Sequence, residues 1–211
     1  MSVHRNIIII SEGIQIETEI VLPEADTNRV VILCHPHPLY GGNMDNPVII
    51  SSSAKLNHSG IATVRFNFRG VGGSSGIYDE GKGEISDTID VIKYVVSSPM
   101  FSDTNRSIGL LGYSFGAKVA LSVASQYRGL KSIALISPPD VEKGFDFSAI
   151  NMLKLLVAGD EDQFDAHKSV ESLEFNLPKP SKIKIYPDDH FWLNEVEKMT
   201  GDVNDFFIDS L

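Results

Sequence analysis

Short, continuous apolar runs recur along the chain, and between them apolar residues return every three or four positions. Such runs are typical of strands in a parallel sheet that is covered on both faces, and the intervening spacing is typical of amphipathic helices. Their alternation predicts a mostly parallel sheet with helices on both sides. The predicted strands span residues 30–34, 61–68, 108–113, 130–136, 152–158 and 181–186, and the predicted helices lie near residues 47–59, 84–96, 115–128, 168–175 and 192–207.

Two further strands are predicted before this region, at residues 7–10 and 14–22, around a turn at residues 11–13. The second strand alternates apolar with polar residues, which fits a half-exposed antiparallel hairpin. The predicted fold class is therefore α/β, with a mostly parallel central sheet and an N-terminal antiparallel hairpin. No connection between the predicted strands is long enough for a cap domain, so we expect one domain over residues 1–211.

The composition restricts the classes of partner. The 211 residues carry a formal net charge of −10, with acidic side chains scattered, which argues against nucleic acid or an anionic membrane as a partner. Cys34 is the sole cysteine, so no internal disulfide can form, and a reducing, cytoplasmic setting fits. The apolar run near the start is too short for a secretory signal, and no run approaches the length of a membrane span.

One predicted strand leads directly into the motif Gly112-Tyr113-Ser114-Phe115-Gly116, and a helix rich in small residues follows. A strand, a Gly-x-Ser-x-Gly turn and a helix together are the context of a nucleophile elbow. Such a turn strains the backbone of the serine, and the chain approaches itself so closely that glycine is needed two residues before and after it. Ser114 is the predicted nucleophile. The alternative is a tight strand-to-helix turn with a surface serine.

The segment His35-Pro36-His37-Pro38-Leu39 follows an earlier strand. In hydrolases with an elbow, one oxyanion donor is the amide after the serine, here Phe115, and the second comes from this early loop. Proline has no N–H, which leaves His37 as the best second donor and Leu39 as the next. We expect His35 to have a structural role. If His35 and His37 instead bound a metal, they would lack an evident third ligand nearby.

A serine nucleophile needs a base and a carboxylate that orients the base. His190 follows the last predicted strand and is the candidate base. Asp162 is the predicted acid, Asp160 is the local alternative, and Asp140, after an earlier strand, is the topological alternative. Because all of them follow strand ends, they can converge on one edge of a parallel sheet.

The glycine-rich residues 69–83 match nucleotide-binding motifs only in part. The spacing from Gly70 lacks the last glycine of a dinucleotide fingerprint, and Gly83 stands where a phosphate loop needs serine or threonine. Asp79 and Glu80 would repel a phosphate in that loop. We therefore expect a long flexible surface loop here, and no nucleotide cofactor.

From residue 30 to the final helix, the sequence resembles the α/β-hydrolase superfamily. The resemblance rests on the elbow motif, on Gly159-Asp160-Glu161-Asp162 and on Asp189-His190. The segments at residues 35–42 and 66–72 are similar to those of small, lidless serine hydrolases of the dienelactone-hydrolase-like type.

The resemblance implies roles for individual residues. An aspartate three residues after the glycine favours Asp162 over Asp160, and Phe115 and His37 are implied as oxyanion donors. The chain departs from the usual His-Gly of the oxyanion loop, because Pro36 follows the histidine. It also carries serine where dienelactone hydrolase has a cysteine nucleophile.

Together these features predict a serine hydrolase that acts by acyl transfer on a small or exposed ester or thioester, without a metal or an organic cofactor. The expected partner is a small-molecule acyl substrate. The alternatives are a peptidase and a protein of the same fold that binds a ligand or partner without catalysis. The chain retains candidates for all three triad positions, which favours the enzyme.

Overall fold

The computed structural model describes residues 2–101, 105–142 and 144–211, and every strand in them belongs to one sheet. The strands are β1 (Val3–Ser11), β2 (Ile14–Leu22), β3 (Arg29–Cys34), β4 (Ala62–Phe66), β5 (Ser107–Tyr113), β6 (Leu130–Ile136), β7 (Leu153–Gly159) and β8 (Ser181–Tyr186). The helices are α1 (Pro47–His58), α2 (Lys82–Ser97), α3 (Phe115–Gln126), α4 (Ala166–Asn176) and α5 (Val196–Ser210).

The directions of the strands confirm the predicted fold class. The order across the sheet is β1-β2-β4-β3-β5-β6-β7-β8. β2 pairs antiparallel with both β1 and β4, whereas all pairs from β4 to β8 are parallel. The carboxyl ends of parallel strands lie at the same edge, so the loops after β3, β5, β6, β7 and β8 meet there.

The helices cover both faces of the sheet, as predicted. α1 and α5 pack against each other on one face, and α2, α3 and α4 cover the other. Alternate residues of one strand therefore enter different cores: in β3, Val31 and Leu33 face α1 and α5, while Ile32 faces the opposite helices. This double burial explains why the parallel strands are apolar at successive positions.

The start of the last helix differs from the prediction. α5 begins at Val196, so the prediction of a helix from Trp192 is wrong. The Asp188 carboxylate accepts hydrogen bonds from the amides of Asn194 and Glu195 (3.1 and 2.6 Å), and Trp192 has a φ of 60°. The segment before α5 is thus a loop wrapped around a buried carboxylate, although its apolar residues have helical spacing.

The glycine-rich segment between β4 and α2 was expected to be flexible, but hydrogen bonds hold it in place. The Arg69 guanidinium, largely buried, donates two hydrogen bonds to Asp87 of α2 (2.7 and 3.0 Å). Ser74, at the far side of the loop, donates to the carbonyl of Asn67 (2.7 Å). Gly83 is required beside the guanidinium, because a Cβ there would lie 2.1 Å from Arg69.

The described residues of the connection from β6 to β7 contain no helix or strand. Across the described parts of the chain, no helix combines the length and hydrophobicity that crossing a membrane requires.

Candidate active site

The backbone at Ser114 has the conformation expected of a nucleophile elbow. Ser114 joins β5 to α3 with φ 54° and ψ −119°, a region that is costly for a residue with a Cβ. Its amide donates to the carbonyl of Ile136 in β6 (2.8 Å), which holds the turn against the sheet. The side chain is half-buried at the carboxyl edge of the sheet.

The two glycines of the elbow are required by close approaches of the backbone. A Cβ on Gly112 would lie 2.2 Å from the carbonyl oxygen of Gly116. A Cβ on Gly116 would lie 2.2 Å from the carbonyl oxygen of Cys34 at the end of β3. Both separations are far below van der Waals contact. Gly116 therefore lets α3 pack directly on the loop that follows β3.

Ser114, His190 and Asp162 form one chain of hydrogen bonds. The His190 Nε2 atom lies 2.9 Å from the Ser114 Oγ atom, and the Nδ1 atom lies 2.7 Å from the Asp162 Oδ2 atom. A carboxylate can only accept, so Nδ1 carries the ring proton and Nε2 accepts from the serine hydroxyl. This is the tautomer in which an imidazole can remove the serine proton.

The surroundings of Asp162 keep it ionised. Burial raises the pKa of the Asp162 carboxyl, but hydrogen bonds from His190 and from the Phe164 amide outweigh burial and hold the pKa below its ordinary value. The Ser137 hydroxyl acts in the same direction. A buried carboxylate next to an imidazole stabilises the positive charge that the ring gains when it accepts a proton.

The two alternative acids lie away from the imidazole. The Asp140 Oδ1 atom accepts a hydrogen bond from Ser169 of α4 (2.9 Å). Asp160 is exposed, and its amide donates to the carbonyl of Tyr186 (2.9 Å). Of the three candidate carboxylates, the structure brings Asp162 to His190.

The loop after β3 places His37 and Phe115 side by side, with ring centroids 4.9 Å apart. The Phe115 amide is in the first turn of α3, where N–H groups have no acceptor within the helix. Within the described residues, the His37 amide has no hydrogen-bond acceptor. The Leu39 amide, in contrast, donates to the His37 Nδ1 atom (3.2 Å). Of the two candidate second donors, His37 thus has the uncommitted amide.

The side chain of His37 lies among aromatic rings. Its ring centroid is 4.7 Å from that of Tyr40 and 5.1 Å from that of Tyr78, and its Nε2 atom lies 3.3 Å from the Tyr78 hydroxyl. Burial lowers the pKa of His37, and the charge of Glu84 opposes this effect only in part. Glycine is required at position 42, because a Cβ there would lie 2.2 Å from the carbonyl oxygen of Pro36.

His35 has the structural role that was expected. It is fully buried, and its two ring nitrogens lie 2.7 Å from the carbonyl oxygen of Pro36 and 3.1 Å from the amide of Phe68. Burial lowers the pKa of His35 to about 4. No group of three His, Cys, Asp or Glu side chains among the described residues is arranged to hold a metal ion.

Several residues that support His190 were not found from the sequence. The Tyr113 hydroxyl donates to the backbone carbonyl of His190 (2.8 Å), and burial raises the pKa of that phenol. The Trp192 indole donates to the Ser137 hydroxyl (3.2 Å). Asp188 is buried and accepts from the Asp189 amide (2.9 Å) as well as from the segment before α5. The position of Tyr113 inside the elbow motif is the one signal that could have pointed to it.

Phe191 and Trp192 directly follow His190, and they differ in exposure. Trp192 is buried, whereas 56% of Phe191 is exposed. The Phe191 ring meets the His190 imidazole edge to face, with centroids 5.7 Å apart. Residue 190 faces the site and the loop turns at residue 192, which leaves Phe191 between them on the surface.

Comparison with known proteins places the chain among hydrolases. Residues 12–172 match the family described as X-Pro dipeptidyl-peptidase (S15 family), a stretch that contains Ser114 and Asp162 but ends before His190. An uncharacterized protein of Rickettsia prowazekii is 32% identical over 189 residues, which cover 85% of this chain and 78% of the relative.

Two solved structures of bacterial proteins agree in fold over nearly their whole length. An α/β serine hydrolase homologue from Coxiella burnetii has a TM-score of 0.82 at 30% identity, covering 98% of this chain and 97% of that one. A protein from Xanthomonas campestris, described as an α/β serine hydrolase without a lid, has a TM-score of 0.84 at 28% identity, covering 98% and 94%. With the family match, these likenesses show that the chain belongs to the S15 family of X-Pro dipeptidyl-peptidases, as a small lidless member of the α/β-hydrolase superfamily.

Proposed function

We propose that this protein is a serine hydrolase that cleaves small or exposed carboxylic esters or thioesters through Ser114, His190 and Asp162. The observation that carries the proposal is the continuous chain of hydrogen bonds from the Asp162 carboxylate through the imidazole to the Ser114 hydroxyl, with separations of 2.7 and 2.9 Å. A base that is oriented by a carboxylate and bonded to a serine is the arrangement that makes a hydroxyl nucleophilic.

In the first half of the reaction, the Ser114 Oγ atom attacks the carbonyl carbon while His190 Nε2 takes its proton. The tetrahedral intermediate then expels the alcohol or thiol, which receives that proton from His190, and an acyl-serine remains. In the second half, His190 removes a proton from water, and the resulting attack releases the carboxylic acid and restores Ser114. Asp162 stays ionised throughout and stabilises the imidazolium.

The amides of Phe115 and His37 supply the oxyanion donors in this proposal. Two features support this assignment: the Phe115 amide begins α3, and the His37 amide has no other acceptor among the described residues. The positive end of the helix favours the negative charge that develops on the carbonyl oxygen. The cycle transfers protons and an acyl group but no electrons, so the proposal includes no metal or organic cofactor.

The first experiment is to measure the intact mass of the protein after incubation with a fluorophosphonate, which reacts with activated serines. The wild-type protein should gain one adduct, and Ser114→Ala should gain none while keeping the same melting temperature. Ser114→Ala and His190→Ala should each lower the hydrolysis of 4-nitrophenyl acetate by about 10⁴-fold or more. An unlabelled, well-folded wild-type protein would contradict the proposal and favour a binding protein of the same fold.

A peptidase is the second candidate, because the family match is to X-Pro dipeptidyl-peptidases. Such an enzyme would release a fluorescent amine from Gly-Pro-7-amido-4-methylcoumarin. We expect kcat/KM for this amide to be far lower than for an ester of comparable size. A higher kcat/KM for the amide than for the ester, with the amide hydrolysis lost in Ser114→Ala, would identify the protein as a peptidase that uses the same residues.

A further inference from the structure

Two phenylalanine side chains flank the imidazole of His190 and remain exposed. The Phe164 ring lies edge to face with His190 at 4.8 Å, and the Phe191 ring does so at 5.7 Å. The exposed fractions of the two residues are 65% and 56%. Such rings bury little apolar area in the folded chain and so contribute little to its stability. Two of them beside one reactive group form an apolar surface that the fold itself does not explain.

Both phenylalanines are fixed by carboxylates of the site. The Phe164 amide donates to the Asp162 Oδ1 atom (2.8 Å), so the carboxylate that orients His190 also holds this residue. The Phe191 amide donates to the Asp189 Oδ1 atom (2.8 Å). The backbone at both positions is therefore held before any ligand arrives, which reduces the entropy lost on binding.

The chemistry of the proposed reaction says which part of a substrate these rings meet. During acylation, His190 Nε2 must deliver its proton to the leaving oxygen, so that oxygen has to come within hydrogen-bond distance of the imidazole. The group attached to the oxygen extends past His190. Since Phe164 and Phe191 contact the imidazole, they adjoin the alcohol portion of the ester.

The charges around the two rings restrict the alcohol further. Asp160, Glu161 and Asp165 are exposed on the segment that carries Phe164, and Asp189 adjoins Phe191. Lys168 pairs with Asp165 at 2.8 Å. The carboxylates outnumber this cation, so an anionic leaving group would be repelled.

We propose that Phe164 and Phe191 form a leaving-group wall that selects esters whose alcohol portion is aromatic and uncharged. This inference rests on the proposed function and narrows it to one class of substrate. A ring packed against the wall should raise kcat/KM about tenfold or more over an alcohol too small to reach it, as apolar contacts typically do. Thioesters of coenzyme A, whose leaving group is highly anionic, should be poor substrates.

The test compares benzyl acetate with methyl acetate, which share the acyl group and have alcohols of similar acidity. Three proteins are assayed: wild type, the double variant Phe164→Ala with Phe191→Ala, and the control Phe175→Ala. Phe175 is 91% exposed on α4 and has no ring contact with His190 in the described structure. Alanine keeps the backbone amides that bond to Asp162 and Asp189.

We expect the ratio of kcat/KM for benzyl to methyl acetate to fall about tenfold in the double variant and to stay unchanged in the control. In the control Phe175→Ala, kcat/KM for both esters should remain within about twofold of the wild type, because this ring does not contact His190 and the triad is intact. An unchanged ratio in the double variant would overturn the wall while leaving the esterase proposal in place.

A second pair of esters tests whether the rings contact the acyl portion or the alcohol portion of the substrate. Methyl phenylacetate and methyl acetate share the alcohol and differ in the acyl group. The inference is wrong if the double variant lowers the ratio of kcat/KM for methyl phenylacetate to methyl acetate and leaves the ratio for benzyl to methyl acetate unchanged. The rings would then adjoin the acyl group. A wild-type protein that hydrolyses none of these esters and is not labelled at Ser114 would instead overturn the proposed function itself.

Discussion

The two oxygen atoms of the Asp162 carboxylate serve different neighbours. The Oδ2 atom accepts from the imidazole of His190, and the Oδ1 atom accepts from the Phe164 amide. Since both oxygens are held, the carboxylate cannot rotate without losing a hydrogen bond in a buried place. One residue therefore fixes both the tautomer of the base and the course of the loop after β7.

Replacing Asp162 by asparagine should have a large effect on rate. In Asp162→Asn, the amide can turn its NH₂ group toward the ring, which favours the tautomer with the proton on Nε2 and leaves Ser114 without an acceptor. We expect kcat for 4-nitrophenyl acetate to fall by about 10⁴-fold with the fold retained. The matched controls are Asp160→Asn and Asp140→Asn, which should keep kcat within about twofold. A severe loss in Asp140→Asn would place the acid after β6.

At the level of elements, the short 3-10 turn Pro38–Tyr40 depends on its preceding histidine. The His37 Nδ1 atom caps the turn by accepting from the Leu39 amide, and Nε2 contacts the Tyr78 hydroxyl. A ring in these contacts holds the backbone of the same residue, whose amide is the proposed oxyanion donor. The side chain of His37 is thus expected to position its own N–H.

Two substitutions at residue 37 separate capping from other effects. His37→Asn keeps an acceptor for the Leu39 amide, whereas His37→Ala removes it, and both keep the backbone amide. We expect His37→Ala to lower kcat about tenfold with little change in KM, because the donor acts mainly in the transition state. His37→Asn should recover most of that loss. Equal kcat values for the wild type and His37→Ala would mean that the turn holds the amide without the cap.

The sequence predicted elements well where one local pattern determined them, and less well elsewhere. The parallel strands were located within a few residues, because burial on both faces requires a continuous apolar run. The start of α5 was misplaced, because the spacing of Trp192, Val196 and Met199 is helical, whereas the carboxylate of Asp188 decides where the helix begins. The spacing of apolar residues does not reveal that a carboxylate elsewhere in the loop accepts hydrogen bonds from the backbone amides before the helix.

In the candidate site, too, some residues could be predicted from the sequence and others could not. Ser114, Asp162 and His190 could be proposed together because the ends of parallel strands share one edge, whatever their separation in sequence. The support from Tyr113 could not be predicted, since its hydroxyl bonds to a carbonyl 77 positions away. The exposure of Phe191 likewise depends on the backbone at Trp192, whose positive φ no pattern indicated.

For the whole molecule, His35 links stability to pH. It joins the end of β3 to the segment after β4, and burial lowers its pKa to about 4. The unfolded chain, with an ordinary histidine pKa of about 6.5, binds more protons than the folded chain between these values. Stability therefore falls as the pH drops from 6.5 toward 4, by about 3 kcal/mol from this residue.

Urea unfolding at pH 8 and at pH 4.5 tests this linkage. The side chain of His35→Gln offers a donor and an acceptor but binds no proton, so this variant should lose about 2 kcal/mol less stability between the two pH values than the wild type. His58→Gln, in an exposed position at the end of α1, is the matched control and should follow the wild type. Parallel curves for the wild type and His35→Gln would show that His35 is not the group responsible.

The leaving-group wall is anchored through its backbone, and this has a consequence for how the enzyme can diversify. Carboxylates hold residues 164 and 191 by their amides, so nineteen of the twenty amino acids retain the anchor, and proline alone removes it. Mutation can therefore exchange the rings for other side chains without disturbing the base or the nucleophile. If the proposed wall is correct, libraries at positions 164 and 191 should change which alcohol portions are accepted while the triad stays intact.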